Sequence, residues 1–291
     1  MARAAMPDAP RASSDADKDG YGGEFVMSDE EFRRITAKVF DIAGIVLKDH
    51  KRQMVYTRLS RRLRATGLTS FGGYMDLLER PENKRELTEF TNAVTTNLTS
   101  FFREGHHFEH LREHVFDHAA HVRKSRLQIW SAGCSTGEEP YSIAMTARSA
   151  ARSLSGIDFR ILATDLDTNV LATGKAGVYP EARAADIPAE MRQGAFARKG
   201  QQVEFSPQIK AMIAFRQLNL LHSWPFKGPF DAIFCRNVLI YFDAETKAGL
   251  VQRYAESLTE DGVLYLGHSE SLLGEHPLLI SEGRTIYRRR R

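Results

Sequence analysis

The stretch Leu127-Gln-Ile-Trp-Ser-Ala-Gly-Cys-Ser-Thr-Gly-Glu-Glu-Pro-Tyr-Ser-Ile-Ala-Met145 constrains the fold of this chain more than any other. A short apolar run, Leu127 to Trp130, meets a turn of small residues, Ser131 to Gly137. Two acids and Pro140 follow, and Ile143, Ala144 and Ala147 continue at helical spacing. The pattern predicts a strand, a tight loop and the start of a helix. Proline fits a first helical turn, Glu138 and Glu139 suit the positive end of the helix dipole, and Gly133 and Gly137 permit close backbone approach. In an open α/β sheet such a turn stands at the carboxyl end of a strand, where a nucleotide-like ligand lies. Taken alone, the loop is equally compatible with an ordinary strand-to-helix turn.

The loop lacks the full G-x-G-x-x-G of dinucleotide binders and the lysine of G-x-x-x-x-G-K-[ST]. Two acids are a poor seat for a pyrophosphate and a better one for a cationic or zwitterionic ligand carrying a ribose; S-adenosylmethionine is such a ligand. A second apolar run, Phe159 to Thr164, ends at Asp165, and an acid closing the second strand can bind the two hydroxyls of a ribose. Asp165 and Asp167 also precede Asn169-Val-Leu, so a helix N-cap is the competing reading.

Strands and helices alternate further on. Phe230–Cys235 reads as a buried strand with Arg236 and Asn237 at its carboxyl end, residues 244–258 as a helix, 263–268 as another strand and 285–287 as the last, before four terminal arginines. This predicts a mainly parallel sheet covered on both faces. Residues 176–216 interrupt the alternation. Gln202–Phe205 and residues 212–215 read as two strands of a small antiparallel insertion, with the main sheet resuming over 217–221.

The N-terminal third differs. Residues 1–24, poor in large apolar side chains, read as a disordered tail with no secretory signal. Ser28 and Glu31 form a capping box ahead of a helix with Phe32, Ile35, Val39 and Phe40, ending near Gly44. Helices over 51–65, from about 70 to before Pro81, and over 83–94 complete a small helical domain, residues 25–95. In the helix over 51–65, Val55, Tyr56, Leu59 and Leu63 fall on one side. Lys51, Arg52, Arg58, Arg61, Arg62 and Arg64 spread over the other with no acid between them. That face reads as a docking surface for an acidic partner, with Lys51, Arg58, Arg61 and Arg62 facing it; a solvated basic face is the plainer alternative. The net charge of +3 does not by itself argue for nucleic acid. Two cysteines exclude a disulfide scaffold and favour the cytoplasm, and no apolar stretch reaches the roughly 20 residues of a membrane span.

Between the two regions lies Thr95-Thr-Asn-Leu-Thr-Ser-Phe-Phe-Arg-Glu104, in which Asn97, Thr99 and Ser100 favour local side-chain bonds, and Phe101 and Phe102 can anchor the segment while Arg103 points elsewhere. A helix over 105–124 follows. It carries His106, His110, His114 and His118 at i, i+4 spacing, with His107 and His121 nearby, but no cysteine or close acid cluster completes a metal site, and none is expected.

The segments 95–103, 131–142, 163–165 and 235–242, with Gly262-Val-Leu-Tyr-Leu-Gly-His-Ser-Glu-Ser271, together resemble the chemotaxis receptor glutamate methyltransferases of bacteria, of CheR type, in the family's order over residues 28–287. The resemblance implies an all-helical N-terminal domain, then a Rossmann-like methyltransferase domain (96–291) with a small antiparallel β-subdomain inserted at about 176–216. It implies methyl transfer from S-adenosylmethionine to glutamates of chemoreceptors, leaving S-adenosylhomocysteine. Carried over by motif, Asn97, Thr99, Arg103, Glu139, Asp165, Asn219, Leu220, Arg236 and Asn237 would bind the cofactor. Arg103 and Tyr241 would stand near the transferred methyl. Many members also bind a tethering peptide of the receptor C-terminus through a glycine-rich loop; here the corresponding residues 198–202 hold one glycine, so tether binding is not expected.

The chemistry demands little. A glutamate is already anionic at neutral pH and a sulfonium is already a good leaving group, so in-line positioning and desolvation suffice. A nucleic-acid methyltransferase and a non-catalytic S-adenosylmethionine-binding module are the alternatives. The first lacks an N-P-P-[YF] motif, and an intact Arg103 and Tyr241 speak against the second.

Overall fold

The computed structural model describes residues 20–226, 228–272 and 274–290. Of the tail expected over 1–24, residues 1–19 lie outside the described residues. The rest of that segment is ordered: β1 (Gly20–Gly22) pairs antiparallel with β2 (Val26–Ser28). Glycine makes this possible, since a Cβ at Gly23 would stand 2.0 Å from the Tyr56 hydroxyl. Glu24 then pairs with Arg64.

Four helices follow: α1 (Asp29–Ala43), α2 (Arg52–Thr66), α3 (Phe71–Leu78) and α4 (Lys84–Val94). Ser28 and Glu31 form the reciprocal capping box, and Gly44 ends α1 in the left-handed region. Phe32, Ile35 and Val39 of α1 meet Val55, Leu59 and Leu63 of α2, with Phe71, Tyr74, Phe90 and Val94 closing the core. The spacing of these residues puts one apolar stripe on each helix, and burying the stripes against each other holds the short helices.

Beyond the linker, α5 spans 106–121. It is helical at both ends (His106–His110, Asp117–His121) with a π-type middle (Leu111–Phe116), and is shorter than the 105–124 expected. The C-terminal part then runs β3 (Arg126–Ala132), α6 (Glu138–Ser149), β4 (Asp158–Asp165), α7 (Thr168–Ala176), β5 (Val178–Pro180), β6 (Phe196–Lys199), β7 (Gln202–Phe205), β8 (Ile213–Gln217), β9 (Phe230–Cys235), α8 (Ala244–Ser257), β10 (Leu258–Leu266), β11 (Leu279–Gly283) and β12 (Ile286–Arg289).

Seven strands form one sheet in the order β11-β12-β10-β9-β3-β4-β8. Five are parallel, from β10 to β8, and β12 and β11 add antiparallel at one edge. The central strand β3 is flanked by β4, which follows it in sequence, and by β9, which comes much later. That change of direction opens a crevice at the strands' carboxyl ends.

The small antiparallel sheet is β5-β7-β6. The strand expected at 212–215 is not part of it. Residues Ile213–Gln217 pair in parallel with β4 on the edge of the main sheet. The reason lies in the sheet itself: β4 would otherwise expose an edge of unpaired backbone groups, and Phe215 packs beside Cys134, Ala163 and Leu171. Of the strand expected over 217–221, Gln217 is the last residue of β8 and residues 218–221 are a loop; Leu218 N–H donates to the Asp165 carbonyl at 2.9 Å, and Asn219 begins a turn.

Candidate active site

The turn after β3 rests on the turn after β9. Gly133 adopts φ +80° and Gly137 φ +100°. A Cβ on Gly133 would stand 2.4 Å from the Val238 side chain, so only glycine lets the two turns meet. The two acids opening α6 separate. Glu138 is fully buried, accepts from the Thr136 hydroxyl at 2.6 Å and pairs with Arg183. Glu139 faces the crevice and accepts from the Ser131 hydroxyl at 2.7 Å and from Arg236 at 3.3 Å. Burial pushes its carboxyl up, against the opposing pull of Arg236 and Ser131.

Asp165 and Asp167, two residues apart, also divide their work. Asp167 caps α7, accepting from Asn169 N–H at 2.8 Å, and receives Thr95 Oγ1 at 2.9 Å and Asn97 Nδ2 at 2.7 Å. It therefore fastens the linker. Asp165 lines the cavity; its carboxylate accepts from Ser135 N–H at 2.8 Å and Asp167 N–H at 3.0 Å. Burial pushes its carboxyl up to about 6, partly offset by those amides.

Arg236, at the end of β9, donates to the Arg103 carbonyl and lies 3.6 Å from Glu104. Burial would raise the Glu104 carboxyl, but Arg236 and His268 outweigh it and hold it below the usual range. His107, completely buried beside Glu104, is kept neutral: burial and then the Arg236 charge depress it to about 3. Asn237 sits at φ +59°, and its turn is held by Glu270, whose carboxylate accepts from the backbone N–H groups of Asn237 (2.7 Å), Ile240 (3.1 Å) and Gly267 (2.7 Å).

These groups surround one cavity of about 280 Å³ between the helical domain and the carboxyl edge of the sheet. Asn97, Thr99, Arg103, Glu139, Asp165, Asn219, Leu220, Arg236, Asn237 and Tyr241 all line it. Arg103 donates to the Leu98 carbonyl at 3.2 Å. Burial pushes the Tyr241 phenol up, with Arg103 pulling it partly back, so Tyr241 is a donor at neutral pH. Asn219 is largely engaged in the fold: its Nδ2 donates to the Ile42 carbonyl at 2.7 Å and its Oδ1 accepts from Leu221 N–H at 3.0 Å.

The lining suits S-adenosylmethionine by its donor set. Asp165 offers free carboxylate capacity to a ribose. Glu139 offers negative charge, and the buried Arg236 Nε has no hydrogen-bond partner among the described residues. Leu166, Leu218, Leu220, Val238 and Phe242 supply an apolar wall suited to a purine.

The basic face of α2 is not uncompensated. Projection along one helix does not register acids brought in by other elements. Arg62 forms a two-pronged bond with Glu86 at 2.9 and 2.7 Å and reaches Glu89 at 3.5 Å. Arg52 pairs with Asp29 and Arg64 with Glu24. Arg58 donates to the carbonyls of Ala93 and Thr95, closing the end of α4. Lys51 and Arg61 are exposed, and Lys51 also lines the cavity. The histidines of α5 make ordinary contacts: His110 meets the Tyr265 hydroxyl at 2.9 Å and Glu282 at 3.1 Å. Among the described residues no cluster of three or more histidines, cysteines and acids is arranged to hold a metal ion, and no helix is long and apolar enough to cross a membrane.

Residues 104, 167 and 270 were not singled out for the site from sequence. Glu270 lies inside the 262–271 motif, and Asp167 beside Asp165; Glu104 carries no sequence signal beyond its place in the linker.

Comparison with known proteins agrees in both halves. Residues 97–287 match the family described as CheR methyltransferase, SAM binding domain, and residues 30–95 match the CheR methyltransferase all-alpha domain. The chain is 43% identical over 257 residues to a probable chemotaxis protein methyltransferase of Rhizobium etli, covering 86% of this chain and 96% of that one. It is 43% identical over 266 residues to the chemotaxis protein methyltransferase of Escherichia coli, covering 90% and 91%. To chemotaxis protein methyltransferase 2 of Pseudomonas aeruginosa it is 42% identical over 272 residues, covering 91% and 94%.

Proposed function

This chain belongs to the CheR methyltransferase family, and from that premise we propose that it transfers the methyl group of S-adenosylmethionine to glutamate side chains of chemoreceptors in the cytoplasm. One observation carries the reading: Arg103 and Tyr241 line the same cavity as Asp165, Glu139 and Arg236. Cofactor-binding and acceptor-handling groups thus share a single space.

The bound cofactor supplies an activated methyl on a cationic sulfur. The protein's part is positional. Asp165 accepts from the ribose hydroxyls, and Glu139 sets negative charge opposite the cationic end. Arg103 draws in the carboxylate of the acceptor and fixes its angle of approach. Tyr241, protonated at neutral pH, donates a hydrogen bond beside the reacting groups. The apolar wall excludes water, which strengthens each of these contacts.

Receptor tethering through the small sheet is not part of the proposal, because β6 and β7 are joined by a tight turn at Gly200-Gln201 with no glycine-rich loop. The test is transfer of tritiated methyl to chemoreceptor-rich membranes, with nucleic acid as the control acceptor. The expected result is label on receptor that alkali releases as methanol, as a carboxylate ester requires. Label on nucleic acid, or none on receptor, overturns the reading.

A further inference from the structure

Seven large hydrophobic side chains are exposed among the described residues, and three of them, Val46, Leu98 and Ile240, line the one cavity described above. They come from three separate segments: the α1–α2 loop, the linker and the turn after β9. Leu98 is 80% exposed, Ile240 46% and Val46 41%. Bonds to their main chain hold two of them beside Arg103 and Tyr241. Val46 N–H donates to the Tyr241 carbonyl at 2.8 Å, and the Leu98 carbonyl accepts from Arg103 at 3.2 Å. A Ser or Thr at these places would leave the backbone bonds intact, so the fold does not explain why aliphatic groups stand in water there. Clustered exposed aliphatics around a polar centre mark a surface that is covered in use.

We infer that Val46, Leu98 and Ile240 form an apolar collar that receives the aliphatic side chains next to the acceptor glutamate on an amphipathic helix of the substrate protein. The inference rests on the proposed methyl transfer to protein glutamates. Charge complementarity selects this occupant over a bare lipid surface: the three side chains line the same cavity as Arg103 and Lys51, cations suited to one carboxylate among apolar neighbours. A glutamate on the shoulder of such a helix has side chains of the apolar stripe one turn away on either side. The collar seats those side chains while Arg103 takes the carboxylate, and it seals the cavity rim against water.

The test replaces Leu98→Ser, Ile240→Ser and both together. Ile280→Ser serves as control, since Ile280 is 48% exposed on the sheet's edge strand, away from the cavity. The measurements are KM for chemoreceptor-rich membranes, calorimetric affinity for S-adenosylhomocysteine, and salt dependence of the rate. Expected are a rise in receptor KM of about tenfold for each single change and more for the double, unchanged product affinity, and an undiminished salt dependence, because the lost contact is apolar. The control should match wild type. Receptor KM at the wild-type value in the double variant overturns the collar, as does a parallel loss of product affinity. Binding of wild type to receptor-free vesicles that the double variant loses would assign the collar to lipid and overturn it also. If wild type does not methylate receptors at all, the function fails rather than the collar.

Discussion

The second helix and the carboxyl edge of the sheet are both rich in charge, yet they treat it in opposite ways. On α2, Arg52, Arg62 and Arg64 each meet an acid from another element, and Arg58 is turned onto main-chain carbonyls. Their bonding capacity is directed into the helical domain. At the sheet edge, Asp165 and Glu139 keep acceptor capacity facing a cavity, and the buried Arg236 keeps a nitrogen with no partner among the described residues. A density of charge therefore says little about function. What distinguishes a site is charge whose partners the fold has withheld.

The strongest way to break this contrast is at the reacting centre. Arg103→Ala should lower the single-turnover rate at saturating cofactor on the order of 100-fold, with Tyr241→Phe lowering it less, and in both the rate should fall by more than product affinity does. Wild-type rates in both would remove these residues from the chemistry.

Next is the cofactor. Asp165→Ala should weaken S-adenosylmethionine binding by about 1 to 3 kcal/mol, roughly 5- to 150-fold, measured by calorimetry on folded protein. The same carboxyl gives a pH dependence. It titrates near 6, and the ionised form is the better acceptor for ribose hydroxyls. Affinity should hold above that pH and fall as pH drops below it, by up to about tenfold per unit. In Asp165→Asn this fall should be absent.

Glu270→Gln sharpens the contrast from within the edge itself. Its carboxylate holds three backbone amides, so the change should destabilise the folded protein by about 1 to 3 kcal/mol in denaturant titration. It should also slow transfer more than it lowers product affinity, since the turn it braces carries Tyr241.

The smallest effect is expected on α2. Lys51→Glu, just ahead of α2, with Arg61→Glu on it, exposed cations with no ion pair among the described residues, should raise receptor KM by a few fold and reduce its salt dependence while leaving cofactor affinity unchanged. Arg62→Ala should act on stability instead, by about 1 kcal/mol, because its pair with Glu86 is partly shielded from solvent. If Arg62→Ala altered receptor KM and spared stability, the division between paired and available charge would be wrong.

Much of the fold could be read from local pattern. Ser28 and Glu31 announced α1, and Leu127 to Gly137 announced a strand and loop at the centre of the sheet, because caps and apolar periodicity are short-range in sequence. What could not be read was long-range. Residues 213–217 pair with β4 rather than with a neighbouring hairpin, since the choice depends on an open sheet edge some fifty residues earlier. Arg62 and Glu86 are 24 residues apart and meet only when α2 and α4 pack. Glu270 lies 33 residues from the turn it holds. The cavity residues were easier, because most stand directly after strands that had already declared their carboxyl ends.

The roof of the cavity comes from one domain and its floor from the other. Asn219 reaches the end of α1 through the Ile42 carbonyl, Val46 bonds to Tyr241, and Thr95 bonds to Asp167. Neither half encloses the cavity without its neighbour. Cofactor affinity is then also a gauge of how tightly the halves are clasped, and each molecule bound is a rivet between them. A force applied to the helical domain by a docking partner would be felt at the ribose, and a filled cavity would stiffen the surface that the partner meets.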